Sequence, residues 1–154
     1  MSCLVFSGCF DQTQNMIFPK DEPASKMNNE KLGEVLAATV LELEGGEGRW
    51  TMNIDGVNVI CLTDETNNRM RFISPIKGLA ELDPDALYLC MAANFHSALD
   101  ARYCIHENVL WSAFIHPLSD LSEESIQNGL AQTVQLVKTY GTTYSSGPLQ
   151  FGGP

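Results

Sequence analysis

Basic side chains are scarce in this sequence. Nine lysines and arginines stand against nineteen aspartates and glutamates, a net charge of -10 over 154 residues. The densest basic stretch is "NRMRF" at 68–72. Holding a phosphate backbone or an anionic bilayer needs clustered Lys and Arg, so neither nucleic acid nor a membrane is expected as a partner. No hydrophobic run reaches the length that crosses a bilayer. The positive segment that opens a secretory signal is missing too, since the first basic residue is Lys20. The "SGC" at 7–9 has too few residues before it for a lipoprotein signal. Cysteine is sparse and irregular: Cys3, Cys9, Cys61, Cys90 and Cys104 are an odd set without a C-x-x-C pair. That pattern suits reduced thiols in the cytoplasm better than a disulfide framework.

Apolar residues, by contrast, make up 44% of the chain, which at this length supports one sizeable core. Residues 1–27 read as a polar N-terminal arm, with "CLVF" and "MIF" as its apolar pieces. Residues 28–140 read as a single domain. Residues 141–154, "GTTYSSGPLQFGGP", read as an extended, partly mobile C-terminal tail.

Within the domain, "NNEKLGEVLAATVLELEGG" carries Leu32, Val35, Leu36, Thr39, Val40 and Leu43 at helical spacing, with Asn28 or Asn29 as cap and Gly45 and Gly46 as terminators. The period then changes to two. In "RWTMNIDGVNVICLT", Trp50, Met52 and Ile54 alternate with Thr51, Asn53 and Asp55, and "DG" at 55–56 signals a hairpin turn. "RMRFISPI" supplies a third strand, which Pro75 ends or marks as an edge. A second helix opens with Asp83 as cap and Pro84 at its first position. Its middle, "ALYLCMAANF", is apolar nearly all round, whereas a helix lying on one sheet needs a polar back. Both of its faces therefore need partners: the sheet, and a second copy of the chain or the N-terminal arm. "ARYCI" and "VLWSAFI" form a second hairpin around "HEN". The last helix, "SEESIQNGLAQTVQLVKTY", has Ser122 as cap and buries Ile126, Leu130, Val134, Val137 and Tyr140, with Gly141 at its stop. The expectation is an α+β domain with an antiparallel sheet of about five strands, ordered helix, three strands, helix, two strands, helix.

That order, two hairpins split by an apolar helix, resembles the chaperone fold of type III secretion systems. It is similar in particular to the YbjN-type relatives of bacteria, cyanobacteria and plants. The resemblance is carried by "RWTMNIDGVNVICLTDETNNRMRFISPI", "LDPDALYLCMAANF", "ARYCIHENVLWSAFIHPL" and the closing helix. It implies a small acidic homodimer that binds other polypeptides and catalyses nothing. It also implies an interface on the middle helix, here Leu87, Met91 and Phe95. Partner segments in that fold lie over the sheet and first helix, which nominates Trp50 and Met52, and the arginine pair Arg69 and Arg71.

The polar clusters offer a competing reading. Cys104 and His106 share one strand face and can reach a common point, as a metal pair or a nucleophile and base would. Two ligands fall short of the usual four, and no third catalytic group is signalled. Cys90 and His96 lie on different faces of one helix. Glu81 with Asp83, and Glu123 with Glu124, sit at helix starts, where carboxylates answer free N–H groups. Arg69 and Arg71 share a strand face and can pair with this chain's own acids or hold an acidic partner. The favoured function is a non-catalytic, homodimeric protein-binding module, chaperone-like or regulatory, with no cofactor. The alternative is a small-molecule-binding or thiol-dependent enzymatic domain built around Cys104 and His106.

Overall fold

A computed structural model of the chain describes residues 26–149. The order is α1 (Asn29–Thr39), β1 (Leu43–Gly46), β2 (Arg49–Ile54), β3 (Val57–Asp64), β4 (Arg69–Gly78), α2 (Pro84–His96), β5 (Arg102–His106), β6 (Val109–His116) and α3 (Glu123–Thr139). The strands form one antiparallel sheet in the order β1-β2-β3-β4-β6-β5. The fold class is α+β as expected, with six strands where five were read.

The extra strand comes from the end of the first helical pattern. α1 starts at the Asn28 cap, whose side chain accepts from the Lys31 N–H at 3.0 Å. It stops at Thr39, because Val40 is already extended. Leu43 then belongs to β1, and Gly45 and Gly46 pair with Trp50 and Arg49 rather than ending a helix. Gly45 sits at φ +97, where a Cβ would strike the Arg49 carbonyl oxygen. Two-residue turns with both residues at positive φ join β1 to β2 (Glu47-Gly48), β2 to β3 (Asp55-Gly56) and β5 to β6 (Glu107-Asn108). Their twist matches that of the flanking strands, which fixes each hairpin's register.

Pro75 does not end β4, and although β4 is a central strand its β3 flank is unpaired at Pro75, so the proline marks a local edge. β4 runs on to Gly78 in the sheet centre, between β3 and β6. Its pairing with β3 covers only Arg69–Ile73, and a bulge against β6 falls between Pro75 and Lys77. A strand tolerates proline at such an irregularity.

The core is a two-layer packing. Trp50, Cys61, Phe72 and Phe114 form one ladder row across β2, β3, β4 and β6, each 4% exposed or less. Leu32 and Leu36 of α1, with Ile126, Leu130 and Val134 of α3, pack on that face. Val137 and Tyr140 are half-buried against it. Residues 141–148 do not run free. Ser145 and Ser146 are buried, the Ser97 hydroxyl donates to the Tyr144 carbonyl at 2.8 Å, and the Leu99 N–H donates to the Ser146 hydroxyl at 2.6 Å. The residues after α3 thus fasten the α2–β5 connection.

Each sheet-facing helix seats a glycine on an aromatic ring, and the two seats differ in tightness. A Cβ on Gly33 would lie 3.5 Å from the Trp50 ring, whereas one on Gly129 would lie 2.8 Å from two atoms of the buried Phe114 ring. Alanine gains about 1 kcal/mol over glycine in either helix. At Gly33 nothing opposes that gain, so Gly33→Ala is expected to stabilise by about 0.5–1 kcal/mol. At Gly129 overpacking wins, and Gly129→Ala is expected to cost about 1–3 kcal/mol. Urea midpoints of the two variants check the opposite signs.

Candidate protein-interaction surfaces

α2 is placed by its start signal. The Asp83 side chain accepts from the Asp85 N–H at 2.9 Å, and Pro84 opens the helix. Ala86, Cys90 and Ala93, spaced four and three apart, form its buried stripe. The opposite side is open and apolar: Tyr88 and Phe95 are 75% exposed, Met91 48% and Leu89 44%. The expected strip of Leu87, Met91 and Phe95 is therefore turned by one residue. Leu87 is half-buried against the core, and Tyr88 takes its place beside Met91 and Phe95. Pure periodicity could not separate the two, because apolar residues occupy both sides of this helix.

α2 packs beside β5, the edge strand of the sheet. Asn94 makes that joint. Its side-chain oxygen accepts from the Tyr103 N–H at 2.8 Å, and its amide donates to the Tyr103 carbonyl at 3.0 Å. One side chain thus stands in for a neighbouring strand at the middle of β5 and blunts the open edge. The Tyr103 hydroxyl reaches through the core to the Leu136 carbonyl at 2.9 Å, tying β5 to α3. Sequence reasoning missed Asn94; its one signal was a polar residue in an otherwise apolar helix. Ile105, farther along β5 and on the same side of the strand as Tyr103, is 51% exposed.

Cys104 and His106 lie on one face of β5, but neither hydrogen-bonds the other among the described residues. The His106 imidazole is exposed and faces Glu107 at 3.7 Å. Burial pushes the Cys104 thiol above its ordinary value, with the positive charge of Arg71 acting the other way. A thiol shifted in that direction is a poor source of thiolate at neutral pH. Cys90 is fully buried in α2. Among the described residues, no three His, Cys, Asp or Glu side chains gather as a metal cluster. No described helix is long and apolar enough to cross a membrane.

Trp50 and Met52 require a correction. Both are 4% exposed, so they form core and offer no surface to a partner. Their alternation marked the buried face of β2 correctly, and α1 already occupies that face. Arg69 and Arg71 are exposed on the opposite, uncovered face of β4. Neither has a carboxylate within salt-bridge distance among the described residues. The reading in which the N-terminal arm covers α2 or a groove concerns residues 1–25, which lie outside the described residues.

No family model matches the chain, and no curated protein does. Solved structures do. A chain of the ExsC–ExsE complex aligns with TM-score 0.56 at 15% identity, over 73% of this chain and 95% of that one. The Yersinia pestis type III secretion chaperone SycH, solved with a fragment of YscM2, aligns with TM-score 0.56 at 18% identity, over 73% and 98%. A chain of the HopA1–SchA chaperone–effector complex aligns with TM-score 0.54 at 13% identity, over 68% and 84%. The fold is that of the type III secretion chaperones. At these identities the likeness establishes architecture alone.

The buried thiols generate a pH prediction. Burial pushes Cys61 up to about 12 and Cys90 up to about 11, from an ordinary 9.0. A folded-state pKa above the unfolded value means the unfolded chain loses its protons first. Their contribution is therefore complete below 9.0 and falls as pH rises toward 11 and 12. Stability in urea is expected to hold up to about pH 9 and to drop above it, toward pH 11, with Cys61 contributing up to about 1.4 kcal/mol per pH unit above its unfolded value. Cys61→Val, close in volume and unable to ionise, should flatten that slope, as chemical denaturation across pH will show.

Proposed function

We propose that this chain is a non-catalytic, homodimeric protein-binding module of chaperone-like type, working in a reducing cytoplasm. The observation that carries the reading is the open apolar side of α2. Taking about 200 Å² for a large apolar side chain, Tyr88, Leu89, Met91 and Phe95 leave on the order of 450 Å² uncovered. Surface of this kind on a soluble chain marks an interaction site. A standard interface takes about 800 Å² from each partner, so the strip supplies about half and the interface extends onto Ile105 and the β5 edge. A second copy suits it, because like apolar patches meet across a two-fold axis.

The fold supports the binding half of the reading. SycH is named as a type III secretion chaperone in complex with a fragment of YscM2, and the SchA complex is named chaperone–effector. The split of two hairpins by an apolar helix also supports placing the chain with the YbjN-type group. The three described cysteines, Cys61, Cys90 and Cys104, are free, which suits a reducing compartment. The raised thiol of Cys104 and its lack of a bond to His106 count against the thiol-enzyme alternative.

Sedimentation of the full chain tests the proposal. A dimer is expected at micromolar concentration. Met91→Glu and Phe95→Glu are each expected to weaken it by roughly 100-fold or more, since a charge buried without a partner costs about 3–5 kcal/mol. Both side chains are exposed in one protomer, so circular dichroism of the variants should stay unchanged. A wild-type monomer, or a dimer indifferent to both substitutions, overturns the reading.

A further inference from the structure

The helices that pack on the sheet, α1 and α3, lie on the same side of it, against the row of Trp50 and Phe114. Side chains alternate along a strand, so Arg49, Thr51, Leu62, Arg71 and Ile73 point to the other side. No described element covers that side. A solvated sheet face is ordinarily polar. This one carries Ile60, Leu62 and Ile73 in its centre, with Trp111 and Ile115 on β6, Ile115 being 57% exposed.

The charges there are equally selective. The chain has four arginines, and the strand alternation places Arg49, Arg69 and Arg71 on this face, whereas Arg102, at the start of edge strand β5, turns its guanidinium onto the α2–β5 connection. All four are exposed. Arg49, Leu62, Arg71 and Ile115 follow one another in a single ladder row, charge beside apolar side chain. Despite an excess of carboxylates, no arginine takes part in the ion pairs His106–Glu107 and Lys138–Asp55, and none has a carboxylate of the described residues within salt-bridge distance. Arg69 and Arg102 donate only to backbone carbonyls, of Asn68 and of Ala98 and Ala101. Asp64, the ladder partner of Arg69, spends its carboxylate on Asn67 at 2.9 and 2.7 Å. Arg71 lies over the face, near enough to Cys104 for its charge to act on the thiol.

We propose that the open face of the sheet docks an acidic polypeptide segment with an apolar stripe, its carboxylates held by Arg49, Arg69 and Arg71 and its apolar side chains on Ile60, Leu62, Ile73 and Ile115. This rests on the protein-binding reading above and names the partner's chemistry. Arginine suits the task, because its weakly hydrated planar fork holds carboxylates bidentately within an interface. Glu44, opposite Thr51 at the β1 end of the same face, orients the segment with its acidic side toward β4. A second copy of the chain fits badly, since a two-fold axis would set arginines against arginines. A phosphate backbone would leave the isoleucines uncovered, and the net charge of -10 repels both nucleic acid and anionic lipid.

The test uses the full chain and a fluorescein-labelled amphipathic peptide with leucine on one helical face and glutamate on the other. Its anisotropy should report binding at least about tenfold tighter than that of the same peptide with lysine for glutamate. The double variant Arg69→Glu/Arg71→Glu should lose at least about tenfold in affinity for the glutamate peptide, and Ile73→Ser should weaken it too. Equal binding of the two peptides, or affinity unchanged in the arginine variant, overturns the proposal. So does binding of duplex DNA, or of phosphatidylserine vesicles, as tight as that of the peptide. Sedimentation of the arginine variant should match the unmodified chain; a shift would make the face an interface between copies and also overturn it. Failure of the unmodified chain to bind the glutamate peptide, with its dimerisation intact, sinks this inference and leaves the α2 dimer standing.

Discussion

The contact of Gly129 with the Phe114 ring, where an added Cβ would lie 2.8 Å from ring carbons, sets the spacing between α3 and the sheet. Gly33 does the same, less tightly, for α1 against Trp50. Both rings belong to the ladder row that runs through Cys61 and Phe72, so the two helices are drawn to the same side. A sheet has two sides, and this arrangement fills one of them from β2 to β6. The openness of the other, and the displacement of α2 to the sheet's edge, are consequences of that single choice.

α2 cannot share the occupied layer, so it lies along β5 and buries only a narrow stripe of Ala86, Cys90 and Ala93. Small residues there let the helix sit close, and Asn94 completes the joint by pairing with both backbone groups of Tyr103. The far end is held by Ser145 and Ser146, buried against the turn after α2. A helix fixed this firmly presents Tyr88, Met91 and Phe95 in a defined geometry rather than as a loose apolar stretch. That rigidity favours docking, since less conformational entropy is lost on association.

Charge is divided as unevenly as apolar surface. A chain of net charge -10 keeps three of its four arginines on the open sheet face, while Lys31 and Lys138 lie on the helices. The overall acidity governs what the molecule repels; the local arginine face governs what it can attract. Trp50 and Met52 show the complementary rule, being apolar strand residues on the occupied side and therefore core.

Much of this architecture was legible in the sequence, because local rules decide it. The Asn28, Asp83 and Ser122 caps, the Asp55-Gly56 turn, and the change from helical to alternating period are properties of neighbouring residues, and each stands where it was read. β1 was not legible, since Leu43 continues a helical spacing and only pairing with Met52 makes it a strand. The central position of Pro75 depends on a bulge against β6, a segment more than thirty residues away. Which strand face is covered, which side of an all-apolar helix is open, and that Arg49 joins Arg69 and Arg71 are decided by packing between distant segments. Sequence period fixes which residues share a face; only the tertiary structure decides which face meets water.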